Sequence, residues 1–196
     1  MPCAGGSRSR AWSSQQVSLA RAAAADYYEA KRDRLRAFLS STFADLAEYR
    51  ALTTDALERL GARVSRVEIS GVKPAEAAVH SLDEVANCDL FVGIYAHRYG
   101  CVPPGDELSI TEQEFDQARR LAKPILCFVV HQNFLWPSQF IEAEPGRTRL
   151  TQFKEKLGKS VPVVSFTTPQ DLLSLVTNRL SGNYLNSICG FMGEAR

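Results

Sequence analysis

The sequence predicts an α/β domain with five parallel strands in one sheet, covered by helices on both faces as a three-layer sandwich. Two observations carry this. From residue 34 onward, short apolar runs alternate with amphipathic stretches of helical period. Two of those runs, Asp89–Ala96 and Pro124–Val130, have almost no polar side chains, as strands buried on both faces require. A chain of 196 residues with 45% hydrophobic content is enough for one such core.

The elements follow in order. Leu35–Ser40 is the first expected strand, ended by the polar cluster Ser40-Ser41-Thr42. Phe43, Leu46, Tyr49, Leu52, Ala56, Leu57 and Leu60 then recur at three- and four-residue steps, and Gly61 stands where that helix should stop. Arg63–Ile69 is β-branched and partly alternating, a second strand. Pro74 opens a helix with Ala77, Ala78, Leu82 and Val85 on one side. Asp89–Ala96 is the central strand. An irregular stretch with Gly100, Pro103, Pro104 and Gly105 leads to a helix capped by Ser109 or Thr111, with Phe115, Ala118 and Leu121 facing inward. After Pro124–Val130 and a polar loop, a helix is expected near Arg149–Leu157. Val161–Phe166 reads as an edge strand, because Pro162 cannot donate to a central ladder. A helix over Asp171–Leu180 closes the domain. Residues 1–33 are expected to be a flexible basic tail, 34–184 the domain and 185–196 a C-terminal tail.

Five strands alternating with helices most often take the flavodoxin-like order 2-1-3-4-5, and ligands then bind where the first and third strands diverge, at their carboxyl ends. That rule selects Ser40-Ser41-Thr42 and His97-Arg98-Tyr99-Gly100.

Composition narrows the function classes. Residues 1–36 carry seven Lys/Arg against three Asp/Glu, leaving 16 against 19 for the rest. The body is slightly acidic, so no nucleic-acid partner is expected. Five cysteines without a CxxC pair argue against a disulfide framework or a zinc site and suit the cytoplasm. Apolar runs reach only about seven residues against the roughly 20 a bilayer needs, so no membrane partner is expected. The first 25 residues lack acidic side chains and include Arg8, Arg10 and Arg21, the composition of a transit peptide, of a disordered leader, or of a start codon set too early.

No GxxxxGK[ST], GxGxxG after a strand, GxSxG or Cys-x5-Arg occurs. The end of the third strand has His97-Arg98 where a phospho-receiver would need an aspartate. His80, His97 and His131 are too scattered to suggest a metal. What remains is Ser109-Ile110-Thr111-Glu112-Gln113-Glu114-Phe115. Ser109 as N-cap puts Glu112 at the third helical position, a capping box. Glu114 cannot cap in that way and faces either the strand-end pocket or solvent. Arg98 can hold a phosphate or pair with the acidic helix start. Ser40, Ser41 and Thr42 can cap the first helix, with Asp45 at the third position if Thr42 is the N-cap, or line an anion site.

Four strings in this chain, Phe38-Leu39-Ser40-Ser41-Thr42-Phe43-x-Asp45-Leu46, Cys88–Ile94, Arg98-Tyr99-Gly100 and Ser109-Ile110-Thr111-Glu112-x-Glu114-Phe115, resemble the domain-of-unknown-function (DUF) family 4062. The resemblance runs from about Leu35 to Leu180. Tyr49 stands where that family usually has Glu before Arg50. The family is TIR-like and often occupies the amino end of large NTPase, NACHT or repeat-containing signalling proteins. No such domain follows Arg196 in this sequence, which implies a lone domain or a fragment. A weaker similarity links Thr111-x-x-Glu114-x-x-x-Ala118 to the catalytic glutamate pattern of nucleoside deoxyribosyltransferases, without its two glycines (Ile110 and Asp116 stand there). TIR enzymes likewise use a glutamate to cleave the N-glycosidic bond of NAD.

These resemblances imply an enzyme in which Glu114 is catalytic, Arg98 holds a phosphate, and Tyr99 or Phe43 stacks on a base. Ser40, Ser41, Thr42, Gly100, Thr111 and Glu112 would complete the substrate site. No cofactor is implied, and NAD or a related nucleotide would enter as substrate. The competing expectation is a non-catalytic module that self-associates as a homo-oligomer or couples to an NTPase, NACHT or repeat-domain partner. Its apolar contact surface would lie around Phe134-Leu135-Trp136 or Phe140.

Overall fold

The computed structural model describes residues 35–66 and 73–193, with side chains through residue 181. The strands are β1 (Arg36–Ser41), β2 (Arg63–Ser65), β3 (Leu90–Tyr95), β4 (Ile125–Val130) and β5 (Val163–Phe166). They form one parallel sheet in the order β2-β1-β3-β4-β5. The helices among the described residues are α1 (Ala47–Arg59), α2 (Pro74–Asn87), α3 (Ile110–Arg120), α4 (Gly146–Ser160) and α5 (Pro169–Gly193), with a single 3-10 turn at Ser138–Phe140. The architecture is a flavodoxin-like sandwich.

The two-residue pleat sorts the strand side chains between two cores. Ala37, Leu39, Val92, Ile94, Leu126 and Phe128 face α1 and α5, where Leu57, Leu172 and Val176 cover them. Phe38, Phe91, Tyr95 and Cys127 face the other way, against Val85 of α2, Phe115 of α3, and Phe153 and Leu157 of α4. Phe115 and Phe153 pack edge to face at 5.9 Å, joining α3 to α4. Each fully buried Phe or Leu contributes about 2 kcal/mol of transfer free energy, so this layering is the main stabilising term.

The expected elements are present, with displaced ends. Gly61 adopts φ +83°, the left-handed conformation that ends α1 without a Cβ penalty. Pro74 occupies the first turn of α2. β5 lies at the sheet edge, immediately after Pro162. β2 is described only over Arg63–Ser65. Residues 67–69 of its expected span lie outside the described residues, as do the tail assigned to 1–33 and residues 194–196. α4 starts earlier than expected, at Gly146, and α5 runs past Leu180 to Gly193. Leu121 was expected on the inner face of α3 but is exposed; it follows the last helical residue, where the 3.6-residue period no longer directs it.

Candidate functional site

β1 and β3 pair with Ser40 opposite Gly93 and Ser41 opposite Ile94. Beyond those residues the chain leaves β1 toward α1 and leaves β3 toward the loop before α3, so the two connections diverge on opposite faces. Polar side chains from both gather there.

Glu114 lies on the sheet-facing side of α3 and is 6% exposed. The Ser40 hydroxyl donates to Glu114 Oε2 at 2.5 Å across 74 residues of sequence. Burial pushes the Glu114 carboxyl up to about 7, because desolvation outweighs the opposing pull of the Ser40 and Ser81 hydroxyls and the Arg50 charge. Of the two orientations open to Glu114, the inward one is observed. Tyr95, two residues beyond Gly93 on the same face, adds a second hydroxyl. A Cβ on Gly93 would collide with that hydroxyl and its ring, so glycine is what lets the tyrosine fold back beside Ser40. The Tyr95 hydroxyl is fully buried beside Ser40, and burial raises its pKa well above 10.

Toward the strand ends, Thr42, Gly100 and Thr111 pack closely together. Gly100 has φ +95°, and a Cβ there would stand 3.0 Å from Thr111 Oγ1 and 3.3 Å from Thr42 Cγ2. The conformation favours glycine, and a larger residue would also push Thr111 and Thr42 aside by a few tenths of an ångström.

Ser40, Ser41 and Thr42 do not cap α1, whose N-cap is Leu46 with no side-chain bond. The helix starts four residues later than a Thr42 cap would need, after a turn at 44–46. Instead the Thr42 hydroxyl donates to Asp45 Oδ1 at 2.5 Å. Ser41 accepts from Arg50, whose Nη1 reaches the Ser41 hydroxyl at 2.6 Å and its carbonyl at 3.2 Å. Tyr49, in the position noted before Arg50, donates its hydroxyl to the Thr167 carbonyl at 2.9 Å and packs on Trp136 and Phe166. Phe43 is 52% exposed, with the Arg50 guanidinium 5.9 Å from its ring centroid.

The other half of the α3 start is closed. Ser109 is the N-cap and accepts from the Glu112 amide at 3.3 Å. The reciprocal arm of the box is bridged. The Ser109 amide donates to the Tyr99 hydroxyl at 3.3 Å, and that hydroxyl donates to Glu112 Oε2 at 2.7 Å. Lys156 of α4 donates to Glu112 Oε1 at 2.9 Å and to Asp116 at 2.6 Å. Tyr99 is 4% exposed, its ring packs edge-on against Phe153, and its amide donates to Glu142 Oε2 at 2.9 Å. Tyr99 and Glu112 are thus engaged on all sides, whereas the Phe43 ring is exposed.

Arg98 is half-buried, and its charge reaches Asp45 beside Thr42. Asp45, Arg50, Ser81, Tyr95 and Lys154 also belong to this region. None was singled out from sequence as a site residue, because apolar periodicity reports which face a residue occupies and not which distant strand end it meets. Asp45 alone left a signal, the Thr42-x-x-Asp45 spacing. Among the described residues, no group of three or more His, Cys, Asp or Glu is placed to hold a metal ion, and no helix is long and apolar enough to cross a membrane.

The sequence model of one protein family, described as Domain of unknown function (DUF4062), matches residues 36–181. No curated protein matches the chain.

Proposed function

The chain belongs to the DUF4062 family, and on that premise we propose that it is a TIR-like cytoplasmic domain that binds NAD or a related nucleotide at the β1/β3 divergence and cleaves its N-glycosidic bond. One observation carries the reading. Glu114, held by Ser40 at the carboxyl end of β1, is a buried carboxyl that titrates near 7, the range in which a carboxylate serves catalysis at neutral pH.

The chemistry asks little more of the protein. In NAD the C1′–N bond breaks with its electron pair going to the pyridinium nitrogen, so nicotinamide departs neutral and needs no general acid. Positive charge develops on C1′ and the ring oxygen of the ribose. The ionised Glu114 stabilises that centre or bonds to C1′. Water then adds at C1′, breaking the C1′–Glu114 bond where one has formed so that the carboxylate leaves, and its proton passes to solvent. Glu114 is 6% exposed, so contact with it requires the segments around Thr42, Gly100 and Thr111 to move apart, and Phe43 offers an exposed ring for the base.

The test is release of free base from NAD and a nucleoside panel by concentrated protein, comparing wild type with Glu114→Gln and Ser40→Ala. Glu114→Gln loses at least about a hundredfold in rate, and wild-type rate rises as pH passes through about 7, because the ionised form does the work. Absence of base release, or equal rates in wild type and Glu114→Gln, sinks the reading.

A second reading has its own observation. Leu135 is 92% exposed, although the flanking Phe134 and Trp136 are half-buried against the core, and its side chain offers a contact point for self-association or for an NTPase, NACHT or repeat partner, with Glu114 purely structural. Leu135→Ser that abolishes assembly while Glu114→Gln leaves it unchanged would favour this reading.

A further inference from the structure

Tyr95 brings to the Glu114 cluster a group that the reaction above does not use. Its side chain is 3% exposed, and its ring packs edge-on against Phe153 at 5.1 Å. The ring folds back over Gly93, so the hydroxyl occupies the space that a Cβ on Gly93 would need. Gly93 pairs with Ser40 across the β1–β3 ladder, and paired residues of neighbouring strands share a face about 4.8 Å apart. A hydroxyl seated over Gly93 therefore stands within reach of the Ser40 side chain. Ser40 is the hydrogen-bonding neighbour of the Tyr95 hydroxyl, and no other group among the described residues takes it. On its other side, Ser40 donates to Glu114 Oε2 at 2.5 Å.

A serine hydroxyl has one proton and two lone pairs. With its proton committed to Glu114, Ser40 can meet Tyr95 only as an acceptor, so the phenol donates. The three groups then form a chain that runs from β3 through β1 to α3 and ends on the carboxylate. Each bond in such a chain polarises the next, and bonds that end on a charge are about twice as strong as neutral ones. Loss of the first donor therefore weakens the ionised form of Glu114 more than the protonated form. The remaining neighbours do not replace it. Ser81 of α2 and Arg50 of α1 act on Glu114 directly. Around Tyr95, burial keeps the Cys127 thiol of β4 neutral by raising it to about 12, and Asp116 of α3 is bonded to Lys156. We infer that Tyr95 is a positioning residue: seated by Gly93, its hydroxyl aims the Ser40 proton at Glu114 and favours the ionised carboxylate. The inference concerns the ionisation of Glu114 and rests on the nucleotide reading only for its consequence on rate.

Carboxyl chemical shifts of Glu114, followed by NMR across pH in the full chain, test it. Tyr95→Phe keeps the ring and moves the titration upward by about half a pH unit. A ring-fluorinated tyrosine in place of Tyr95 has a more acidic hydroxyl, donates more strongly and moves the titration downward, which a loss of packing could not do. In a Ser40→Ala background, Tyr95→Phe moves it no further, because the chain is already cut. Circular dichroism and the thermal midpoint verify that each variant is folded. An unchanged Glu114 titration in folded Tyr95→Phe, or an equal shift with and without Ser40, overturns the inference. In base-release assays, Tyr95→Phe carries the rise in rate to higher pH by the same amount. The expected shifts without any base release remove the glycosidase reading alone, and base release with a Glu114 titration indifferent to Tyr95 removes this inference alone.

Discussion

Glu112 and Glu114 sit two residues apart on one helix, with 7% and 6% of their surfaces exposed, yet their surroundings are opposite. Glu112 faces α4 and meets a lysine ammonium, a tyrosine hydroxyl and, through Ser109, the amide end of α3. Glu114 faces the sheet and meets hydroxyls, with the Arg50 charge as its weakest influence. Equal burial therefore does not mean equal chemistry. One carboxylate is charge-matched and closes a helix start; the other is left to hold its proton up to neutral pH.

The largest expected effect breaks the Glu114 side. The folded carboxyl keeps its proton to about pH 7, whereas the ordinary value is 4.5, so the folded state binds the extra proton in that window. Stability is full below the window and falls as pH rises through it. The difference corresponds to about 3 kcal/mol. Glu114→Gln should recover most of that above pH 7 and nothing below 4.5, as urea midpoints across pH would reveal. A wild-type profile parallel to that of the variant would show that Glu114 is not desolvated as described.

The next effect breaks the Glu112 side. Lys156→Met leaves Glu112 buried without its cation and should cost about 2 kcal/mol, less than for a fully enclosed pair because Lys156 is a third exposed. Adding Glu112→Gln should restore about half. An additive double-mutant cycle would mean that the two residues do not act as a pair. The smallest effects sharpen the contrast. Tyr99→Phe removes the hydroxyl that bridges Ser109 and Glu112, at a cost of about 1.5 kcal/mol in thermal unfolding. Ser40→Ala costs about 1 kcal/mol and moves the Glu114 titration upward, since the Ser40 bond pulls it down. Carboxyl chemical shifts would follow that move, and a downward shift would contradict the hydrogen bond.

Alternation of apolar runs, the position of Gly61, Pro74 and Pro162, and the Ser109 cap were all legible in the sequence, because each acts over a few residues through period, φ restriction or one missing amide donor. From them the parallel sheet and its strand order followed. The sequence also narrowed Glu114 to two orientations. It could not choose between them, since the choice depends on Ser40, 74 residues away, and on whether Gly93 leaves room for Tyr95. Tertiary packing decided that the capping box would close through the Tyr99 hydroxyl, that Lys156 would reach across 44 residues to Glu112, and that Thr42 would bond Asp45 rather than cap a helix. Periodicity is a property of one segment, whereas the environment of a buried charge is set by whichever distant segments the fold brings against it.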